Sequence, residues 1–150
     1  MKIEKAKKKD LEEILELQKL AFRSQAEIYN DFSITPLIQT LDEIKRDFLK
    51  QTYLKAMING KIIGSVRGYL ENGTCYIGRL IVRPDLQNRG IGTKLMNEIE
   101  TIFNQAQRFE IFTGFKDEKN LCLYEKLGYK QFKSEQVNRN LVMVYLEKIS

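Results

Sequence analysis

Apolar residues near the N-terminus recur every three to four positions, which is the period of a helix with one buried face. The stripe begins just after Asp10, and Glu13 follows three residues later. This spacing is typical of a capping box, which satisfies the first N–H groups of a helix. A short strand is expected before it, at residues 2–6. The stripe comprises Leu11, Ile14, Leu15, Ala21 and Phe22, widened by Leu17 and Leu20.

A second stripe of the same period begins after Thr40, and Thr40 with Glu43 again has the spacing of a capping box. Residues 25–36 lie between the two stripes, show no clear period and end at Pro36. The pattern therefore predicts two amphipathic helices joined by a loop or an irregular helical segment. The apolar face of the second helix comprises Leu41, Ile44, Phe48 and Leu49.

Beyond this helix the period falls to two, or to continuous apolar runs, as expected for strands. Residues 53–58, 61–70 and 74–82 form three such runs. Asn-Gly pairs at residues 59–60 and 72–73 separate them. Asn and Gly both tolerate positive φ, which the tightest hairpin turns require at both central positions. The pattern predicts three antiparallel strands.

The second half of the chain alternates between helix and strand patterns. Apolar spacing predicts a helix over residues 91–103 and a strand at residues 109–113. A strand, helix and strand of these lengths are typical of a right-handed crossover between parallel neighbours. The run NLCLYEKLGY predicts a helix that ends at Gly128 and a strand from Tyr129, and residues 141–148 predict the last strand.

Together these elements predict one domain over residues 1–150 with a mixed α/β (α+β) fold: a central sheet of about seven strands with about four helices. Apolar residues make up 43% of the chain, enough for a single core and unlike a disordered protein. No stretch approaches the roughly 18 apolar residues of a membrane span, and the N-terminus lacks the apolar run of a secretory signal. We expect a cytoplasmic protein with no membrane partner.

The residue types present exclude several chemistries. The chain has no histidine, which excludes Ser-His and Cys-His nucleophile pairs and removes the commonest general base. Cys75 and Cys122 have no CxxC partner, so we expect two unpaired thiols, no disulfide and no metal site. A net charge of +5 leaves open nucleic acid, an anionic cofactor or no special partner. Aromatic residues are not interleaved with Lys and Arg, so nucleic acid is not favoured.

The segment RPDLQNRGIG, residues 83–92, connects a predicted strand to a predicted helix. A helix begins with N–H groups that have no intrahelical partner, and its dipole adds positive character there. Glycines at positions 90 and 92 allow close approach to the main chain, and Arg83 and Arg89 add charge. The segment matches neither GxGxxG nor GxxxxGK[ST]. It predicts a pyrophosphate site, with a merely connecting turn as the alternative.

The same segment resembles a known family. The pattern V-x-P-x-x-Q-x-x-G-x-G, formed by Val82, Pro84, Gln87, Gly90 and Gly92, is similar to the acetyl-coenzyme A motif of the GCN5-related N-acetyltransferases (GNAT). NLCLYEKLGY resembles the second signature of that family, in which a tyrosine-bearing helix ends in LG. The order of predicted elements agrees over essentially the whole chain. The resemblance implies a fold whose fourth and fifth strands are β-bulged or splayed apart and form a cofactor cleft.

The resemblance also implies roles for individual residues. Main-chain amides of residues 88–93 would hold the pyrophosphate of acetyl-coenzyme A, the strand edge would pair with the pantetheine arm, and Tyr124 would give a proton to the departing thiolate. Many members place an asparagine where this chain has Asp117, so Asn120 is the nearby candidate. The implied coenzyme residues are Leu80, Ile81, Val82, Gln87, Asn88, Arg89, Gly90, Ile91, Gly92, Thr93 and Asn120.

The acceptor side of the site is less defined by sequence. The family's first helices and their loop form one wall of it, here with Tyr29, Asp31 and Phe32, which suits a cationic amine. Arg67 and Arg79 would instead select an acceptor with a carboxylate. The general base is an ordered water chain or a carboxylate from elsewhere; the candidates are Glu71, which we place at the acceptor site, and Glu27.

Three functions remain open at this point. The first is an enzyme that acetylates a primary amine of a small molecule or peptide, using acetyl-coenzyme A in a ternary complex. The second is a catalytically inactive module that binds the acyl-coenzyme as a sensor. The third, an RNA-binding protein, is suggested only by the basic charge. The oligomeric state is open, with a homodimer among the alternatives.

Overall fold

A computed structural model describes residues 1–150, which form a mixed sheet with helices on both faces. The strands are β1 (Lys2–Lys5), β2 (Thr52–Ile58), β3 (Lys61–Glu71), β4 (Thr74–Val82), β5 (Arg108–Gly114), β6 (Lys130–Asn138) and β7 (Leu141–Ile149). The helices are α1 (Leu11–Tyr29), α2 (Thr35–Ile38), α3 (Leu41–Lys50), α4 (Ile91–Ile102) and α5 (Glu118–Lys126). The sheet has seven strands in the order β1-β2-β3-β4-β5-β7-β6. The predicted fold class is confirmed, with α2 as a short additional helix.

The two predicted hairpin turns are present. At residues 59–60 the φ angles are 52° and 78°, and at residues 72–73 they are 50° and 81°. Both pairs therefore adopt the left-handed conformation that asparagine and glycine tolerate. Strands β2, β3 and β4 are antiparallel as predicted, and β4 runs parallel to β5 after the α4 crossover.

The N-terminal helix differs from its prediction at both ends. Helix α1 continues to Tyr29, into the segment expected to lack regular structure, because Ala26 and Tyr29 are buried against the rest of the protein. The predicted capping box of Asp10 and Glu13 is absent. The Asp10 carboxylate instead accepts hydrogen bonds from the N–H of Lys7, three residues earlier in the chain, and from the ammonium of Lys55 on β2.

Glu13 is likewise used elsewhere, since its Oε2 accepts the N–H of Ile62 at 2.8 Å. By contrast, the box of Thr40 and Glu43 forms as predicted at the start of α3. Leu49, predicted on the apolar face of α3, is 84% exposed, because the buried stripe of this short helix centres on Ile44. Leu20 is also exposed.

Two apolar clusters lie on opposite faces of the sheet. On the side that we call the α4 face, Leu95, Met96 and Ile99 of α4 pack on the central strands, and α5 joins them through Tyr124. On the other side, the α1 face, α1 and α3 cover strands β2 to β4. No helix is long and apolar enough to cross a membrane. The cluster on the α1 face comprises Ala6, Leu11, Ile14, Leu15, Leu17, Ile44, Tyr53, Ile62 and Ile81.

Strands β4 and β5 separate soon after they meet. Their parallel ladder is limited to residues 74–76 paired with residues 108–110, although β4 continues to Val82 and β5 to Gly114. Beyond the ladder, the facing main-chain edges of the two strands are not paired with each other. The sheet is therefore split by a cleft, as the splayed-strand prediction required.

A β-bulge lies where this cleft begins. Ser65 of β3 pairs with Ile81, but Arg67 pairs with Gly78, so β4 holds one extra residue. Ile77 packs in the cluster on the α4 face, and Leu80 also packs against that cluster three positions later. In a regular strand, residues three apart point to opposite faces. The bulge therefore changes the alternation and turns Arg79 toward the α1 face.

Candidate functional site

The turn before α4 leaves a row of main-chain donors without partners. None of the N–H groups of residues 87–93 donates a hydrogen bond within the protein, and no side chain caps the helix. Asn88 and Gly90 have φ angles of 65° and 80°, so left-handed residues alternate with others along the turn. Alternation of this kind directs successive N–H groups into one concavity, and the helix dipole adds positive character. A turn with these features can bind an anion.

The two arginines of this turn differ in their availability. Arg83 is bound to Asp85 by two hydrogen bonds, of 2.7 and 3.2 Å, and this contact holds the pKa of Asp85 below its usual value. Arg89 forms no hydrogen bond or ion pair with the protein and is exposed. Arg89 is therefore the free cation beside the unpaired N–H groups.

The two glycines also differ in purpose. A Cβ atom on Gly90 would meet nothing within 4 Å, so this position needs glycine for its positive φ alone. A Cβ on Gly92 would lie 3.3 Å from Leu123 Cδ2 and 3.7 Å from Leu80 Cδ2. Gly92 thus allows α4, α5 and β4 to meet. Of the two predicted close approaches, the one open to a ligand is at Gly90.

The strand edge beside this turn is formed by residues 80–82 of β4. Leu80 and Val82 pack toward the cluster on the α4 face, and Ile81 is buried on the α1 face. Their main chain borders the cleft, on the side where β4 has left β5. An extended ligand arm can pair with such an edge as an added strand does.

Tyr124 lies on α5, close to this junction, and only 2% of its surface is exposed. Its hydroxyl takes part in no hydrogen bond within the protein, and no buried side-chain oxygen or nitrogen lacks a partner. The small exposed part of Tyr124 therefore includes its hydroxyl. Burial, and then the negative charge of Asp117, raise the pKa of this phenol above its usual value. Tyr124 stays protonated at neutral pH.

Asp117 is the centre of a hydrogen-bond cluster that joins three elements. Its carboxylate accepts hydrogen bonds from Gln25 of α1, from Thr113 of β5 at 2.9 Å, and from the Asn120 side chain at 2.8 Å. It also caps α5 by accepting the Asn120 N–H. Sequence pattern pointed to Asp117 and Asn120, but nothing in it indicated Gln25 or Thr113, which are distant in the chain.

The residues predicted for the acceptor do not gather on one surface. Tyr29 is only 3% exposed, and its hydroxyl accepts the Lys116 N–H at 2.8 Å. A Cβ on Gly114 would overlap the Tyr29 ring, so this tyrosine closes tightly over the end of β5. Asp31 accepts hydrogen bonds from Ser33 and from Asn138 of β6. Both residues fasten the loop after α1 to the sheet.

The other predicted acceptor residues lie further out. Phe32 is 55% exposed and lines an open groove on the outside of α1, together with Glu27. Glu71 is at the β3–β4 turn, paired with Thr74. The bulge lies four residues further along β4, about 13 Å at the usual rise of a strand. Neither carboxylate contacts Tyr124, and neither is placed to act as its partner.

A polar network on the α1 face was not anticipated as a unit. Arg67 Nη1 donates to Asp47 Oδ2 at 2.9 Å and to the Tyr53 hydroxyl at 3.0 Å. Arg79 Nη1 donates to Gln39 Oε1 at 2.9 Å, and Gln39 Nε2 donates to Asp47 Oδ2 at 2.8 Å. Sequence showed the two arginines but not their partners, because α3 reaches β3 and β4 only through the tertiary fold.

Comparison with known proteins agrees with this geometry. Three solved structures have the same fold at low sequence identity. The PaiA N-acetyltransferase of Thermoplasma acidophilum, in complex with coenzyme A, is 17% identical, with full coverage of both chains and a TM-score of 0.79. The ribosomal-protein-alanine N-acetyltransferase of Brucella melitensis is 16% identical, also with full coverage, at a TM-score of 0.76. YncA of Salmonella typhimurium, solved with its cofactor acetyl-CoA, is 20% identical over 99% of this chain and 93% of that one, at a TM-score of 0.76.

The chain thus combines a mixed sheet, split by the cleft between β4 and β5, with a helix terminus whose N–H groups have no partner. The sequence pattern of the acetyltransferase (GNAT) family matches residues 11–129, which include the turn, the cleft strand and Tyr124. This chain belongs to that family.

Proposed function

We propose that this protein transfers the acetyl group of acetyl-coenzyme A to a primary amine of a small molecule or peptide, directly within a ternary complex. The observation that carries the proposal is the row of unpaired N–H groups at residues 87–93, beside the free Arg89. Two proteins with the same fold were solved with coenzyme A or acetyl-CoA, which supports the same ligand here.

In this proposal the N–H groups of residues 88–93 bind the pyrophosphate, with Gln87 and Arg89 beside them. The main chain of residues 80–82 pairs with the pantetheine arm, so that the coenzyme follows β4 from the turn toward the bulge. Asn120 gives one N–H to Asp117 and keeps its carbonyl oxygen and second N–H for the coenzyme. The acetyl group then lies where β4 and β5 part.

The transfer requires a neutral amine that attacks the thioester carbon. A new C–N bond forms, the C–S bond breaks, and the departing thiolate needs a proton. Tyr124 is protonated and its hydroxyl has no partner inside the protein, so it can donate to that sulfur. In this proposal a main-chain N–H of β4 close to the bulge stabilises the oxyanion. Water in the cleft accepts the proton of the amine, because Glu27 and Glu71 lie away from Tyr124 and the bulge.

The experiment combines calorimetry with coenzyme A and an assay of thiol release from acetyl-coenzyme A over a panel of amines. Binding with turnover of at least one amine is the expected result. Binding without turnover of any amine would instead identify a coenzyme sensor. Absence of coenzyme binding would contradict both functions.

The role of Tyr124 is separable from its contribution to stability. Tyr124→Phe is expected to lower kcat by about 100-fold or more, since general acids contribute on that scale. Coenzyme affinity and the thermal midpoint should stay unchanged, because this hydroxyl bonds to nothing in the protein. Tyr129→Phe is the matched control: its buried hydroxyl donates to Glu100 at 2.8 Å. That variant should lose stability and keep kcat.

A further inference from the structure

The polar network on the α1 face holds more positive than negative charge. Arg67 and Arg79 share a single nearby carboxylate, that of Asp47. Asp47 already accepts hydrogen bonds from Arg67 and from Gln39, both through the same oxygen. Arg79 is left without an ion pair. An unbalanced guanidinium in a partly buried place attracts an anion.

The free edge of Arg79 is accessible. Its Nη1 donates to Gln39 Oε1, and this is the only hydrogen bond that the Arg79 side chain makes within the protein. No buried side-chain nitrogen is without a partner, so the Nε and Nη2 atoms of Arg79 reach accessible space. Gln18 Nε2 donates to the same Gln39 oxygen at 2.9 Å and holds it in place. The guanidinium is thus oriented by one edge and open at the other.

The backbone of Arg79 is in a conformation that arginine seldom adopts. Its φ is 49°, and every other non-glycine residue with positive φ in this chain is an asparagine. A left-handed conformation is costly for a long side chain, and residues that adopt it cluster at active sites and ligand-binding positions. Here the bulge uses it to place Arg79 on the α1 face, at the point where the cleft begins.

This position faces the reacting end of the proposed site. The coenzyme would run along β4 from Val82 toward Gly78, on the side of α4 and α5. Arg79 lies at the far end of that path and points to the opposite face, from which an acceptor would approach. Burial, and then the charge of Arg67, lower the pKa of Arg79 to about 10, so it is cationic at neutral pH.

We propose that the open edge of the Arg79 guanidinium binds a carboxylate of the acceptor, so that the acceptor is an amino acid or a peptide whose free carboxylate lies near the acetylated amine. This inference rests on the proposed function. A guanidinium fork binds a carboxylate by two parallel hydrogen bonds, which fixes the orientation of the acceptor as well as its affinity. Amines without a carboxylate would leave Arg79 unpaired.

The test uses acceptors matched in pairs: phenylalanine with phenethylamine, lysine with cadaverine, and a dipeptide with its C-terminal amide. Thiol release is measured for each. The carboxylate-bearing member should have the lower KM, by about 10- to 100-fold, the range expected for a hydrogen bond to a charged group. Turnover of both members at similar KM would overturn the inference and leave the transferase function intact.

Variants assign the preference to Arg79. Arg79→Asn removes the charge but tolerates the left-handed backbone, so the bulge is retained. It should raise KM for the carboxylate-bearing acceptors to that of their partners, with coenzyme affinity unchanged by calorimetry. Arg79→Lys keeps the charge without the fork and should give an intermediate KM. Arg46→Gln, on the exposed side of α3, should behave as the unaltered protein.

Calorimetry with coenzyme A separates the ways in which the test can fail. A protein that binds coenzyme A but acetylates no member of any pair contradicts the proposed transfer, and the inference with it. An acceptor preference that survives in both Arg79 variants contradicts the inference alone. If Arg79→Asn misfolds and no longer binds coenzyme A, Arg79→Lys provides the test instead. An unchanged KM for the carboxylate-bearing acceptors in Arg79→Lys also overturns the inference.

Discussion

Helices α3 and α4 begin in opposite ways. At α3 the Thr40 hydroxyl accepts the Glu43 N–H at 3.2 Å, and the Glu43 carboxylate accepts the Thr40 N–H at 2.9 Å. At α4 there is no side-chain cap, and the preceding N–H groups have no partner in the protein. Both helices face the same requirement, because a helix start always exposes unpaired donors.

The difference between the two helix starts shows how a cap that stabilises the fold and an open terminus that can bind a ligand exclude each other. The start of α3 is closed by its own side chains and adds to folding. The start of α4 forgoes that contribution, and in the proposed function its donors bind the pyrophosphate of the coenzyme. A capping side chain at Gly90 would stabilise the helix, yet it would occupy the place that a phosphate needs. Glycine at that position is therefore typical of a helix terminus kept open.

The largest effect is expected from a negatively charged side chain at the start of α4. Gly90→Asp tolerates positive φ and places a carboxylate at the helix start. We expect coenzyme A to bind about 100-fold more weakly or worse, since juxtaposed like charges cost several kcal/mol. Calorimetry measures the change. Gly90→Asn has the same shape without the charge and should weaken binding much less; equal losses in the two variants would speak against an anion site.

A smaller effect should distinguish the two arginines of the turn. Arg89→Gln removes the cation that has no partner, and we expect coenzyme affinity to fall about fivefold, as for an exposed charge pair. Arg83→Gln removes an arginine already bound to Asp85 and should change affinity less. Raising the salt concentration should narrow the gap between the variants. The reverse order of effects would refute the assignment of Arg89.

The smallest effect is expected at α3. Thr40→Ala removes the closed cap and should lower the thermal midpoint by about 3 °C, the shift that corresponds to a lost N-cap in a chain of this size. Coenzyme affinity should not change, because the side chains of Thr40 and Glu43 bond only to each other and to each other's main-chain N–H groups. A thermal melt and a calorimetric titration of the same variant provide the two readings. A loss of affinity would show that the two helix starts are not independent.

Sequence predicted those features whose cause is local. The period of apolar residues located the helices and strands, Asn-Gly pairs located the hairpins, and the glycines of residues 83–92 located the open helix start. Predictions failed where a side chain forms a hydrogen bond with a residue that is distant in the sequence. Asp10 does not cap α1, because its carboxylate accepts hydrogen bonds from the Lys7 N–H and from the ammonium of Lys55, 45 residues away on β2.

The same limit applies to the site. Tyr124 and the turn could be named from motifs, and the resemblance implied a bulged strand. The position of the bulge, which turns Arg79 to the α1 face, depends on how β3 pairs with β4. The partners of Asp117 come from α1 and β5, and no local spacing connects them. Sequence therefore located the open turn and the cleft strand better than the polar network on the α1 face, which is assembled from separate segments.

The most direct measurement is a titration of the ¹⁵N-labelled protein with coenzyme A, followed by the main-chain amide signals. The account predicts the largest shifts at residues 88–93, little change at the capped start of α3, and no response of the turn to pantetheine, which lacks the pyrophosphate. Coenzyme binding that leaves the amides of this turn unmoved, or moves them equally with pantetheine, would contradict it.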